Sequence, residues 1–187
     1  MPKSASQIIV LSGPSGSGKT TLCRELAARR GLYFSISHTT RKPREGEKNG
    51  LAYHFVDLSE FKKMEVLGEL IESAEVYGNC YGTSLGEVEK GMQKGVILDL
   101  DTQGALAMKK KYPTALLIFI RPPSHEDLHA RLSQRGTESK EVLARRLKQA
   151  GNEEQFQKYY DAVVTNKDLN QALNELELLI NKNSLNI

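Results

Sequence analysis

Ile8-Ile9-Val10-Leu11-Ser12-Gly13-Pro14-Ser15-Gly16-Ser17-Gly18-Lys19-Thr20 decides how this chain is read: an apolar run enters a glycine-rich loop that fits G-x-x-x-x-G-K-[ST], and a helix-like segment follows. Small residues let backbone N–H groups wrap around phosphate oxygens, and the following helix aims the positive end of its dipole at the same anion. In such a loop Lys19 reaches the β- and γ-phosphates, and Thr20 offers a hydroxyl to Mg²⁺. The expected triphosphate cradle is Gly13, Pro14, Ser15, Gly16, Ser17, Gly18, Lys19, Thr20 and Thr21. Its four fixed positions recur by accident in on the order of one chain in a hundred of this length, and a strand before with a helix after lowers that frequency. The loop predicts a nucleoside triphosphate site and leaves the acceptor open.

Working outward, short apolar runs recur at Gln7–Leu11, Val96–Leu100 and Ala115–Ile120, with helix-like segments between them. That rhythm predicts an α/β fold on a parallel sheet whose strands are buried on both faces. The first helix is expected over Lys19–Arg30, with Leu22 and Leu26 on its buried side, Cys23 beside them and Gly31 as its stop. Asp168 with Gln171 reads as an N-cap and capping-box pair for a last helix carrying Leu173, Leu176 and Ile180. Between the first helix and Val96, a polar loop from Thr39 to Gly50, the alternating Tyr53-His54-Phe55-Val56 and a Gly-rich run at 77–82 read as a small mixed insertion built for binding, too polar to complete the core. After Ile120, Pro122 and Pro123 end the strand, and Ser124 caps a helix to about Arg135. Gly136 and Thr137 turn, and a second helix runs over about Ser139–Tyr160, making a helical pair suited to a lid.

Length and composition bound the function. With 187 residues, 39% of them hydrophobic, the chain suffices for one compact domain. No apolar run approaches the roughly 18 residues of a membrane span, and Met1-Pro2-Lys3-Ser4 lacks the apolar region of a signal peptide, so a soluble cytoplasmic protein is expected. Cys23 and Cys80 have no metal-ligand spacing and read as isolated thiols. A net charge of +3 is too small to imply nucleic acid, and no nucleic-acid motif is present. The basic residues nevertheless gather in two sets: Arg41, Lys42 and Arg44, and Arg121, Arg131, Arg135, Arg145, Arg146 and Lys148. Each set is either a solvated face or half of an arrangement closing on phosphates from two sides.

The segments GPSGSGKT, SISHTTRKPREGE, YHFV, ESAEVYGNCYGTS, VILDLDTQGA and PPSHEDLHARLSQRGTESKEVLARRL occur in that order from Ile8 to about Thr165. In this the chain resembles the guanylate kinase family. The resemblance implies a P-loop NTPase-type parallel sheet flanked by helices, with a core over about 1–34, 84–123 and 153–187, a GMP-binding region over about 35–83 and a lid over about 124–152. It further implies phosphoryl transfer from ATP to GMP or dGMP with Mg²⁺, in a monomer or homodimer without nucleic-acid or membrane partners. Arg41, Arg44, Tyr53 and Tyr81 are placed on the GMP phosphate by this likeness, and paired guanidinium bonds with two un-ionised phenols suit a phosphate. Read from the residues alone, Tyr53 packed on a strand and Tyr81 in a turn serve equally well.

For the base, the resemblance implicates Ser37, Glu72, Thr83 and Asp101, carboxylates accepting from N1 and N2 of guanine. Asp99 ends a Val-Ile-Leu-Asp run and reads as a Walker B acid that joins Thr20 at the metal, or as a structural cap. Arg131 and Arg135, four apart, share a helix face, whereas Arg145 and Arg146 diverge by about 100° and only one aims into a site; family register favours Arg146. The catalytic set so implied is Lys19, Arg44, Arg131, Arg135 and Arg146, and no chemical role falls to Gln103 or Gly104. His38, His54, His125 and His129 have no metal spacing, and an acceptor phosphate that ionises near pH 6 needs no base. Cys80, Ser73 and Arg121 depart from the residues common in the family, and Arg121 is expected near the adenine. Two competing readings remain: a guanylate-kinase-like interaction module without chemistry, and a kinase of a phosphorylated sugar.

Overall fold

The opening apolar run forms β1 (Ile8–Ser12), buried at every residue, in a computed structural model that describes residues 8–76, 78–133 and 140–184. Its neighbours are β7 (Val96–Asp99) on one side and β8 (Leu116–Arg121) on the other, both parallel, with Leu11 opposite Asp99 and Ile118. The short β2 (Tyr33–Phe34) and β9 (Ala162–Thr165) complete a five-stranded sheet in the order β2-β7-β1-β8-β9. Alternation along β1 splits the core in two. Ile9 and Leu11 pack under α1 (Lys19–Arg30) and α7 (Leu169–Ser184), while Ile8 and Val10 pack toward α3 (Leu85–Gly91) and α4 (Thr102–Lys111). Strands covered on both faces read as unbroken apolar runs for that reason.

The helix signals behave as their chemistry requires. Leu22, Cys23 and Leu26 of α1 are buried, and Gly31, at φ 66°, returns its N–H to Ala27 O. Asp168 accepts from the Gln171 N–H at 3.0 Å and opens α7, whose Leu173, Leu176 and Ile180 are buried.

The region from 35 to 83 folds a second, four-stranded sheet in the order β4-β3-β6-β5, from β3 (His38–Thr39), β4 (His54–Phe55), β5 (Leu70–Val76) and β6 (Asn79–Ser84). Polar as it is, it keeps an apolar anchor: Phe61 of α2 (Leu58–Val66) is fully buried.

Ser124 caps α5 (His125–Ser133) by accepting from the Asp127 N–H, and Leu128 and Leu132 pack on Ala150 of α6 (Lys140–Glu154). The expected helix to Tyr160 ends earlier, giving way to a 3-10 turn over Gln155–Tyr159. Tightening the chain there delivers Tyr160 in extended conformation to the sheet, where its hydroxyl donates to Ser12 Oγ at 2.8 Å and its ring meets Phe119 edge-on. Residues 134–139, including Arg135, Gly136 and Thr137, lie outside the described residues. Among the described residues no helix is long and apolar enough to cross a membrane.

Candidate active site

The carboxyl ends of β1 and β7, the second sheet and α6 enclose a cavity of about 860 Å³. Ligand sites of α/β sheets form at this end of the strands. Its floor is the glycine-rich loop. Gly18 sits at φ 92°, a conformation closed to most side chains, with the Asn166 amide packed where a Cβ would project. Asn166 in turn donates from Nδ2 to Ser17 O at 2.8 Å, so the residue after β9 holds the loop in shape.

At the mouth of the loop, Lys19 Nζ donates to the carbonyls of Gly13 and Pro14 at 2.6 and 3.1 Å. The Thr20 hydroxyl donates to Asp99 Oδ2 at 2.5 Å, joining the start of α1 to the end of β7. Paired hydroxyl and carboxylate oxygens fit Mg²⁺, which prefers one or two carboxylates completed by water and phosphate. Among the described residues there is no cluster of three or more His, Cys, Asp or Glu that could hold a metal ion.

Across the cavity, Arg41 makes paired bonds to Glu47 at 3.0 Å each, with its guanidinium over the Tyr53 ring at 5.3 Å. Glu47 also accepts the Arg44 N–H at 2.8 Å, and this one carboxylate therefore sets the loop bearing both arginines. Hydrogen bonding from Arg41 holds the Glu47 carboxyl below its usual range. Tyr53 and Tyr81 stand edge to face at 5.9 Å, and burial, with Asp99 and Tyr81 nearby, pushes the Tyr53 phenol up to about 12. Its hydroxyl is a donor at any physiological pH.

Toward the back, Ser37 Oγ lies 3.3 Å from Thr83 Oγ1, and Thr83 pairs with Glu72 between β6 and β5. Burial lifts the Glu72 carboxyl to about 7; Thr83 hydrogen bonds oppose the rise and Asp101 adds to it. Asp101 also caps α4, accepting the Gly104 N–H at 2.7 Å. Expected only as a base reader, it thus carries a structural bond as well.

Gly104 acquires a function here that its sequence position did not reveal. A Cβ on it would lie 3.0 Å from Glu72 Oε2 and 3.3 Å from Asp101 Oδ1, so its bareness lets two carboxylates approach one helix end.

Other residues separate from the cavity. Arg131 is turned to Asn166 O at 3.0 Å, the backbone acceptor beside it, and does not line the cavity; Pro14, Ser17 and Thr83 stand behind its wall. Arg146 lines it and Arg145 is exposed. Arg121 bonds across the strand ends to Thr165 Oγ1 at 3.0 Å, outside the cavity.

Glu153 on α6 was not anticipated. It is buried at the cavity wall with Oε2 unbonded among the described residues, and burial raises its carboxyl while Lys19 opposes the rise. Its spacing from Arg146, two helical turns, is the signal that could have found it. Asn166, directly after a core strand, had a topological signal of the same kind.

The guanylate kinase family model matches residues 5–183. The chain belongs to the guanylate kinase family. A guanylate kinase of Symbiobacterium thermophilum is 47% identical over 176 residues, covering 92% of this chain and 83% of its own. A guanylate kinase of Geobacter metallireducens is 42% identical over 176 residues, covering 92% and 87%. The crystal structure of guanylate kinase from Anaplasma phagocytophilum superposes with a TM-score of 0.81 at 34% identity, over 98% of this chain and 89% of that one. Shikimate kinase from Bacteroides thetaiotaomicron, at 15% identity and a TM-score of 0.52, shares the fold with this family member.

Proposed function

We propose that the protein catalyses the reversible, Mg²⁺-dependent transfer of the γ-phosphoryl group of ATP to GMP or dGMP, giving ADP and the guanosine diphosphate. The observation that carries the reading is a single cavity lined by Lys19, Thr20 and Asp99 on one wall and by Arg41, Arg44, Tyr53, Tyr81 and Glu72 on the other. One wall suits a triphosphate and the other a purine monophosphate. Membership of the family supports the same pairing.

In this reading Lys19 leaves the loop carbonyls for the β- and γ-phosphates, and the P-loop amides take the remaining oxygens. Magnesium held by Thr20 and Asp99 would neutralise charge on the transferred group. Arg41 and Arg44 orient the GMP phosphate in line, with Tyr53 and Tyr81 donating to it. The phosphate ionises near pH 6 and attacks without a general base, which leaves positioning and electrostatics as the catalytic work. Arg146, from the lid, adds positive charge at the reacting oxygens, and Arg135 is the further lid arginine that the family resemblance implies. Glu72 and Asp101 accept from N1–H and N2–H of guanine. Adenine offers neither donor there, and a site built for a specific hydrogen bond rejects its absence by about 10⁴-fold.

A coupled ADP-release assay with GMP, dGMP, AMP and ribose phosphate tests the proposal. Turnover on GMP and dGMP with AMP reduced by about 10⁴-fold in kcat/KM is expected. Turnover on ribose phosphate alone would transfer the reading to a sugar-phosphate kinase, and none on any acceptor would make the chain an interaction module.

A further inference from the structure

The most heavily bonded carboxylate in the described residues touches no part of the cavity. Glu87, in the first turn of α3, is 2% exposed. Its Oε2 accepts from the Tyr33 hydroxyl at 2.8 Å and from the Ile36 N–H at 2.9 Å, and its Oε1 accepts from Lys90 Nζ at 2.6 Å and meets His54 Nε2 at 3.1 Å. Burial works against its charge, yet the bonds from Lys90, Ile36, Tyr33 and His54 outweigh burial and hold the carboxyl at about 2. A buried carboxylate is stable only when so surrounded.

The identity of the four donors is informative. Tyr33 belongs to the edge strand β2 of the core sheet, and Lys90 to α3, which follows the return of the chain into the core. Ile36 stands where the chain leaves the core, one residue after Ser35 bonds Ile97 O, and His54 lies in β4 of the second sheet. One side chain therefore fastens the second sheet to the core where the chain passes out and where it comes back.

Its two insertion-side donors adjoin ligand-facing residues. Ile36 precedes Ser37, and His54 follows Tyr53; the Ser37 carbonyl also accepts the His54 N–H at 2.9 Å, and the His54 ring stacks on His38 at 4.6 Å. We propose that Glu87 is a positioning residue for the acceptor nucleotide: by holding the Ile36 amide and the His54 ring, it sets Ser37 and Tyr53 at the spacing that a purine monophosphate requires. The proposal rests on the reading of this cavity as a GMP site.

Steady-state kinetics of Glu87→Ala and Glu87→Gln, each run well below its own melting temperature, test it. For Glu87→Ala, KM for GMP is expected to rise roughly tenfold, the effect of about one charge-assisted contact, while KM for ATP stays within about twofold. Glu87→Gln, which keeps an acceptor for the Ile36 amide, is expected to recover part of the loss. If Glu87→Ala does not fold, His54→Phe removes one arm of the arrangement and is expected to raise KM for GMP selectively. A lowered melting temperature with both KM values unchanged, or a parallel rise in both, overturns the proposal. Wild-type protein that makes no GDP refutes the function instead, so the two failures are distinct.

Discussion

Replacing Gly104 by alanine separates substrate recognition from folding, because the two respond with opposite sign. Gly104 lies in the first turn of α4, and the added methyl would stand 3.0 Å from Glu72 Oε2 and 3.1 Å from its Cδ. Ordinary contact begins near 3.5 Å, so the carboxylate must retreat by about half an ångström. A misplacement of about 1 Å costs on the order of 10²-fold, and half of that distance corresponds to about tenfold, or ~1.4 kcal/mol of a hydrogen bond to a charged group worth about 1.5–3. KM for GMP is expected to rise about tenfold and KM for ATP to stay fixed. Folding gains instead, since alanine is favoured over glycine within a helix by up to about 1 kcal/mol, and the melting temperature should hold or rise. The assay is ADP release at saturating ATP across a GMP titration, with a parallel thermal melt. Shortening the carboxylate restores the space, so Glu72→Asp combined with Gly104→Ala should cost less than the two single changes added together. Unchanged GMP affinity in a fully folded Gly104→Ala protein would refute the claim that this glycine makes room for Glu72.

Other perturbations address other parts of the site. Arg146→Ala should lower kcat by about 10²-fold or more, and Arg145→Ala, with its side chain exposed, should leave kcat near wild type; equal losses would remove the distinction between them. Because burial places the Glu72 carboxyl at about 7, the carboxylate form is lost as pH falls through that value. The GMP affinity advantage of wild type over Glu72→Gln should therefore shrink from about pH 8 to about pH 6. A constant ratio by calorimetry would contradict this, and taking the ratio cancels titration of GMP itself. Glu87 has the opposite sign: its folded value of about 2 lies below the ordinary 4.5, so its stabilisation is full above about 4.5 and disappears as pH falls toward 2. Denaturant titrations of Glu87→Gln should lack the part of the acid-side slope that wild type shows in that window.

Where a function depends on backbone at fixed spacing, the residues announce it; where it depends on which strangers meet, they do not. The P-loop, α1 and α7 were legible because phosphate cradles, apolar periods and caps are local chemistry. Strand order was not: apolar runs tell that β1, β7 and β8 are buried, never that β1 lies between the others. β2, β3 and β4 are two residues each, too short for alternation to register. Four-residue spacing pairs Arg131 with Arg135 in the sequence, but spacing does not tell whether the Arg131 guanidinium faces a cavity or the carbonyl of Asn166. The glutamates show the limit most sharply. By type they belong on the surface, yet Glu47, Glu72, Glu87 and Glu153 all do inner work, and Glu72 and Glu87 draw their partners from distant segments. Glu72 and Glu87 even shift in opposite directions although burial works against the charge of both, because the fold brings Glu87 donors from Tyr33, Ile36, His54 and Lys90, whereas it gives Glu72 only Thr83 and the like charge of Asp101. A purine edge with two N–H groups would supply to Glu72 what Glu87 receives from its own chain, and that difference in supply is what divides a binding carboxylate from a structural one.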